Sequence, residues 1–187
     1  EEHPNVILVD AGDRFTGNPY VDHAKEKGFP IISLMNDLGY EVGTLGNHEF
    51  DFGQKILRAR INDATFPIIC ANINSSRGEL DSIPPYYIIE KDGIKLGFIS
   101  FVQTETDQIP STNPERLKDI TFDHYLDKVE DYKPLKRQCD VLIGLTHLGV
   151  DKDSILATQM PELDIIIGGH THTLLETSKE INNVIIG

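Results

Sequence analysis

Residues 46–51 read Gly-Asn-His-Glu-Phe-Asp. They follow an apolar stretch (residues 40–45) and precede a segment with helical spacing. A turn has a use for the Gly and the Asn. It has none for His48, Glu49 and Asp51 together. Three further clusters sit in the same kind of place. Asp10 and Asp13 follow the apolar run 6–10, His147 ends the run 140–146, and His170 and His172 follow the run 163–167 after Gly168-Gly169. Asp, Asn and three His offer oxygen and neutral nitrogen donors without a thiolate. That set suits Zn, Mn or Fe better than Mg or Ca, which prefer oxygen shells. The two glycines let imidazoles at i and i+2 crowd close to an ion.

Taken singly, each cluster has an ordinary explanation. An Asp after a strand is usually a helix cap or turn residue, Gly46-Asn47 is a common turn pair, and a lone His147 is more often structural. Gly-His-Thr-His is harder to explain that way. Four such clusters, each at a strand end, point to one shared site. His3, His23 and His124 lie in polar surroundings and read as plain surface histidines.

Bringing the clusters together is the task of the elements between them. Residues 6–10, 41–45, 66–71, 140–146 and 163–167 read as buried strands, and residues 31–38, 54–64, 123–137 (apart from Pro134 near its end) and 153–159 as helices. Gly39 is placed to stop the first helix. Residues 86–91 and 94–101 flank Asp92-Gly93, a tight hairpin signal, and residues 180–187 begin another around Asn182-Asn183. Residues 74–85 and 104–114, rich in Ser, Pro, Asn and Asp, are expected to be the least ordered. The alternation is that of an α/β fold, one domain over residues 1–187. In such sheets ligands bind at the carboxyl ends of the strands, which is where all four clusters lie.

Bulk properties narrow the function. The 187 residues carry 39% hydrophobic and 25% charged residues and a net charge of −13. No basic excess exists to hold nucleic acid. An anionic substrate would need a local source of positive charge, which a metal supplies. No run approaches the ~18 apolar residues of a membrane span. Cys70 and Cys139 read as buried free thiols.

Gly-Asp-Arg-Phe (12–15), Gly-Asn-His-Glu (46–49), Thr-His-Leu-Gly (146–149) and Gly-His-Thr-His (169–172), in this order, resemble the signature blocks of the calcineurin-like metallophosphoesterases. The continuation to Gly-Asn-His-Glu-Phe-Asp-Phe-Gly resembles the 5′-nucleotidase and 2′,3′-cyclic phosphodiesterase branch. The resemblance implies a four-layer α-β-β-α sandwich with two divalent transition metals (Zn, Mn or Fe) at the sheet edge. It implies that Asp13 bridges both metals, that Asn47, His147 and His170 bind the second, and that His172 binds the first. His48 becomes the imidazole near the leaving group, Asp51 its partner, and a metal-bridging hydroxide the attacking group. The substrate is then a phosphorylated small molecule, a nucleotide in the first instance.

The chain also departs from the pattern. The family's first block, an Asp-x-His, has no counterpart here, so the second metal site is more complete than the first. The expected picture is an N-terminal catalytic domain lacking its first strand and last strands. The C-terminal nucleotide-specificity domain that the resemblance implies is expected to lie outside these residues. A metal-binding module without turnover is the alternative reading. Location in the periplasm or outside the cell rests on the resemblance alone.

Overall fold

Parallel pairing of the first apolar runs builds the smaller of two sheets. The computed structural model describes residues 5–75 and 80–187; residues 1–4, with His3 among them, and residues 76–79 lie outside that description. The first strand, β1 (Leu8–Asp10), is followed by a single helical turn, α1 (Pro19–Asp22), and by α2 (Phe29–Leu38). Then come β2 (Tyr40–Thr44), α3 (Gln54–Asp63), β3 (Ile68–Ile69) and β4 (Ile73–Asn74). Strands β1, β2 and β3 pair in that order, all parallel, so helices must carry each crossover. Helix α2 buries Ile32 and Met35 and ends where expected: Gly39 takes φ +77° and caps the Met35 and Asn36 carbonyls. That left-handed backbone is the reason for glycine there.

The larger sheet starts with β5 (Tyr86–Lys91) and β6 (Ile94–Ile99). It continues past β7 (Thr121–Phe122) and the short α4 (Val129–Tyr132) to β8 (Val141–Thr146), α5 (Val150–Gln159) and β9 (Ile165–Gly168). It closes with β10 (Lys179–Ile181) and β11 (Val184–Ile186). Its order is β10-β11-β9-β8-β6-β5, while β4 and β7 pair apart as a two-stranded ribbon. Both hairpins form at the expected residues, with positive φ at Asp92 and Gly93 and at Asn182 and Asn183, as a tight primed turn requires.

The two sheets stack face to face. Val42 and Ile69 of the small sheet meet Phe98, Ile143 and Leu145 of the large one between them. On the outer face of the small sheet α2 and α3 pack Ile32, Met35 and Leu57 against Leu45 and Ile68. On the outer face of the large sheet α4 and α5 pack Val129, Leu156 and Ala157 against Leu142 and Ile166. Helices, sheet, sheet and helices therefore make four layers.

Several local expectations are corrected. Residues 123–137 are not one helix but a 3₁₀ turn (Tyr125–Lys128), α4 and a second 3₁₀ stretch (Lys133–Gln138). Pro134 has no amide hydrogen and cannot continue an α-helix. His124 is exposed, as expected, but not without a partner: its Nδ1 accepts the Leu126 amide at 3.4 Å and caps the first turn. Cys139 is only half-buried, whereas Cys70 is buried, and both thiols are free. Residues 104–113 form no helix or strand, as expected of a loop, and within them Pro110 is buried.

Candidate active site

Because β1 and β2 run parallel and adjacent, the loops that leave them emerge side by side. Two glycines let these loops interleave: a Cβ on Gly12 would lie 2.6 Å from the Gly46 nitrogen, and one on Gly46 would lie 2.2 Å from Asp13 Oδ1. Glu49, fully buried, ties the two loops together. Its Oε2 accepts the amides of Asp13 (2.7 Å) and Gly46 (2.6 Å), and its Oε1 those of Arg14 (2.8 Å) and Phe15 (3.3 Å). Such a buried charge needs a counter-charge. The buried guanidinium of Arg14 supplies positive charge while pairing with Asp10 at 2.6 Å and donating to the Thr44 carbonyl. Held this way, Asp13 sits in the left-handed region (φ 63°), and its Oδ1 accepts the His48 amide at 2.9 Å. A non-glycine residue there carries strain that the surrounding bonds must offset.

From the larger sheet, β8 and β9 deliver His147 and His170 to the same place. Among the described residues, Asp13, His147 and His170 bring one donor atom each within 4.8 Å of one another. The two rings stand 5.1 Å apart at 65°. Gly169 permits this approach, since a Cβ there would lie 2.9 Å from the Ala11 carbonyl and 3.1 Å from His147 Nδ1. Asn47 joins them: its Nδ2 donates to the Ser111 carbonyl at 3.0 Å, which leaves Oδ1 facing His170 Nδ1 at 3.2 Å.

The hydrogen bonds of His147 test whether these donors fit a cation. Its Nδ1 must donate to the Ala11 carbonyl at 2.6 Å, because a carbonyl only accepts. In the neutral ring, Nε2 then presents a lone pair to Asp13 Oδ2 at 2.9 Å. That nitrogen is buried and has no well-directed hydrogen bond. Two acceptors this close need a proton or a cation between them. In the metal-free protein a proton can serve. Burial disfavours the imidazolium, but the bond to Asp13 and the charges of Asp13 and Glu49 hold the His147 pKa above its ordinary value. Asp13 responds in kind: burial raises its pKa, and His147 and His48 outweigh that and lower it. Burial and the neighbouring His147 lower the pKa of His170, which favours the neutral ring that can coordinate an ion. Asp13, Asn47, His147 and His170 thus form an oxygen-and-nitrogen donor set that fits one transition-metal ion. His172 stands apart from this group, exposed, with φ 52°. It lines a cleft of about 420 Å³ together with Asp13, Thr16 and His48.

His48 and Asp51 meet at the mouth of that cleft. His48 Nδ1 and Asp51 Oδ2 are 2.7 Å apart, which leaves Nε2 as the nitrogen available to a bound molecule. Partial burial disfavours the imidazolium, yet the Asp51 bond and the charges of Asp13, Asp51 and Glu49 raise the His48 pKa. The raised pKa favours the protonated ring. Sequence reasoning gives several neighbours no role. Thr16 Oγ1 donates to Asp51 Oδ2 at 2.8 Å and lies 2.9 Å from His48 Nδ1, while Thr112 Oγ1 donates to Asp51 Oδ1 at 2.8 Å. Asp153, buried beneath Gly168, accepts the Thr146 hydroxyl at 2.6 Å, and burial pushes its pKa up to about 6. Single hydroxyls carry no pattern in a sequence. Glu49 has one available signal, as a carboxylate directly after a buried strand and turn.

Known proteins share this sequence pattern and this fold. The sequence profile described as Calcineurin-like phosphoesterase matches residues 1–174. The trifunctional nucleotide phosphoesterase protein YfkN of Bacillus subtilis is 34% identical over 211 residues, covering 96% of this chain and 14% of that protein. The 2′,3′-cyclic-nucleotide 2′-phosphodiesterase/3′-nucleotidase of Haemophilus influenzae is 31% identical over 202 residues, covering 92% and 30%. Among solved structures, a 5′-nucleotidase precursor from Thermus thermophilus superposes with a TM-score of 0.83 at 27% identity, over 97% of this chain and 39% of that one. The chain therefore spans well under half the length of these relatives.

Proposed function

Since the chain belongs to the calcineurin-like phosphoesterase family, we propose that its protein is a metal-dependent hydrolase of phosphoric esters, acting on nucleotides. The observation that carries this reading is the convergence of Asp13, Asn47, His147 and His170 beside the His48–Asp51 pair. Bound divalent ions would supply the positive charge this acidic chain lacks and polarise the phosphoryl group. Asp13, Asn47, His147 and His170 would hold one ion. Asp13, reaching toward the cleft shared with His172, would serve a second. The chain's own residues do the remaining work. Asp51 orients the His48 ring through Nδ1, and His48 Nε2 donates a proton to the departing ester oxygen, a contribution typically of ~10²–10⁴-fold.

Nucleotides are favoured as substrates because the similar proteins above are named for them, and those names divide among 5′- and 3′-monoesters and 2′,3′-cyclic diesters. Location outside the cytoplasm is proposed on the same likeness. A metal-binding module without turnover is the second reading, favoured by the lack of an Asp-x-His block among these residues. One experiment separates the two. The full-length protein is supplied with Zn, Mn or Fe and assayed on 5′- and 3′-nucleoside monophosphates, 2′,3′-cyclic nucleotides and p-nitrophenyl phosphate. Hydrolysis abolished by a chelator supports the enzyme. Metal binding with no hydrolysis of any of the four supports the silent module.

A further inference from the structure

We infer that Ser111 and Thr112 form a positioning strap that sets the orientation of both Asn47 and Asp51 from the far side of the loop. This rests on the reading of Asn47 and His48–Asp51 given above. An Asn side chain can present oxygen or nitrogen to a neighbour with almost the same shape. A carbonyl can only accept, so the Ser111 carbonyl at 3.0 Å takes the Asn47 nitrogen and leaves Oδ1 toward His170. One residue later, the Thr112 hydroxyl donates to Asp51 Oδ1 at 2.8 Å. The other carboxylate oxygen, Oδ2, holds His48 Nδ1 at 2.7 Å and the Thr16 hydroxyl at 2.8 Å. With both oxygens engaged from opposite sides, the carboxylate plane cannot rotate away from the imidazole. Remove Thr112, and only Oδ2 is tethered.

The strap is itself anchored. Thr112 N–H bonds to the Pro110 carbonyl at 2.7 Å. Ile109 on one side and Leu117 on the other sink into the core beneath α2 and α3. Partners 64 and 61 residues apart in the chain, Asn47 with Ser111 and Asp51 with Thr112, are thus held in fixed register. Thr112 is a positioning residue, since it reaches the reacting groups only through Asp51.

The test compares Thr112→Val with Thr112→Ser in the full-length protein. Thr112→Val keeps the shape and loses the hydroxyl; loss of one hydrogen bond to a charged group is expected to lower kcat about tenfold. KM and bound-metal stoichiometry should stay within about twofold, because Thr112 touches no donor atom of the metal group. Thr112→Ser restores the hydroxyl and should recover most of the loss. A second readout needs no turnover: the His48 Nδ1–H resonance in the metal-free protein at fixed pH should be lost in the Val variant and kept in the Ser variant. Should the Val variant fail to fold, Thr112→Ala removes the same hydroxyl with less bulk. Unchanged kcat and an unchanged His48 resonance in the Val or Ala variant would overturn the strap, as would a Ser variant as impaired as Val. If the wild type hydrolyses no phosphoester, the functional reading fails while the resonance still decides the strap.

Discussion

Replacing Glu49 with Gln changes one atom in a buried group that touches neither solvent nor substrate. The consequence follows from its four hydrogen bonds. The carboxylate serves two pairs of amides, Asp13 with Gly46 on one oxygen and Arg14 with Phe15 on the other. A Gln side chain keeps one acceptor oxygen and so satisfies one pair. Its NH₂ then faces the other two N–H groups, donor against donor. Two buried donors left unpaired cost about 1–3 kcal/mol each, hence roughly 2–6 kcal/mol together. Arg14 also loses a nearby anion. Against a typical total of about 5–15 kcal/mol, this is a large share. Urea unfolding of metal-free wild type and variant measures it directly, with ion affinity by calorimetry alongside. Affinity should fall as well, since the lost bonds hold Asp13 in its left-handed backbone. Glu49→Asp, which keeps the charge and shortens the reach, should lie between the two. A Gln variant within about 0.5 kcal/mol of wild type, binding metal equally well, would refute the reasoning.

Three further outcomes are expected. His48→Ala should lower turnover by about 10²–10⁴-fold with metal content intact, and Asp51→Asn should do the same more mildly; loss of metal by either, measured by elemental analysis, would contradict the assigned roles. Asp13→Ala should weaken both proposed metal sites together, and losing a single ion would make Asp13 a terminal ligand. The Asp13–His147 pair sets a pH window. The raised His147 pKa contributes stability that is full below its unfolded value of about 6.5 and is lost as pH climbs through the folded value. The lowered Asp13 pKa contributes stability that is present above about 4 and is lost as pH falls through the folded value. Metal-free stability from this pair should therefore peak between the two. Metal binding just above that window should release the His147 proton, visible as a buffer-dependent calorimetric enthalpy.

Much of this architecture is legible in the chain itself. The strands that end in Asp13, Asn47, His147 and His170 can be read because short β-branched runs stop at turn residues, and the parallel order then puts those stops on one edge. Both hairpins are legible from Asp92-Gly93 and Asn182-Asn183, whose side chains tolerate positive φ. The break at Pro134 is written in the sequence too, but the apolar spacing on either side of it suggests a continuous helix. What stays hidden depends on contacts between remote segments. Nothing near Ser111 and Thr112 says that they lie over Asn47 and Asp51. Nothing near Glu49 says that its carboxylate oxygens face the loop after β1.

The donors also divide unevenly between the layers. Asp13 and Asn47 hang from the three-stranded sheet, His147 and His170 from the six-stranded one. Contacts that clasp the two halves at this end include those of His147 with Ala11 and Asp13, the Thr44–Ser100 hydroxyl pair and the bonds of Asn72 with Val102. An ion held by all four donors would join Asn47 to His170 across 123 residues of chain, acting as a removable cross-link. Its occupancy then sets how cooperatively the two halves unfold. With an ion in place they should open as one unit. Once a chelator strips it, amide hydrogen exchange should find the three-stranded half opening independently. The residues proposed to hold the phosphate's counter-charge would thereby also govern whether the molecule behaves as one body or two.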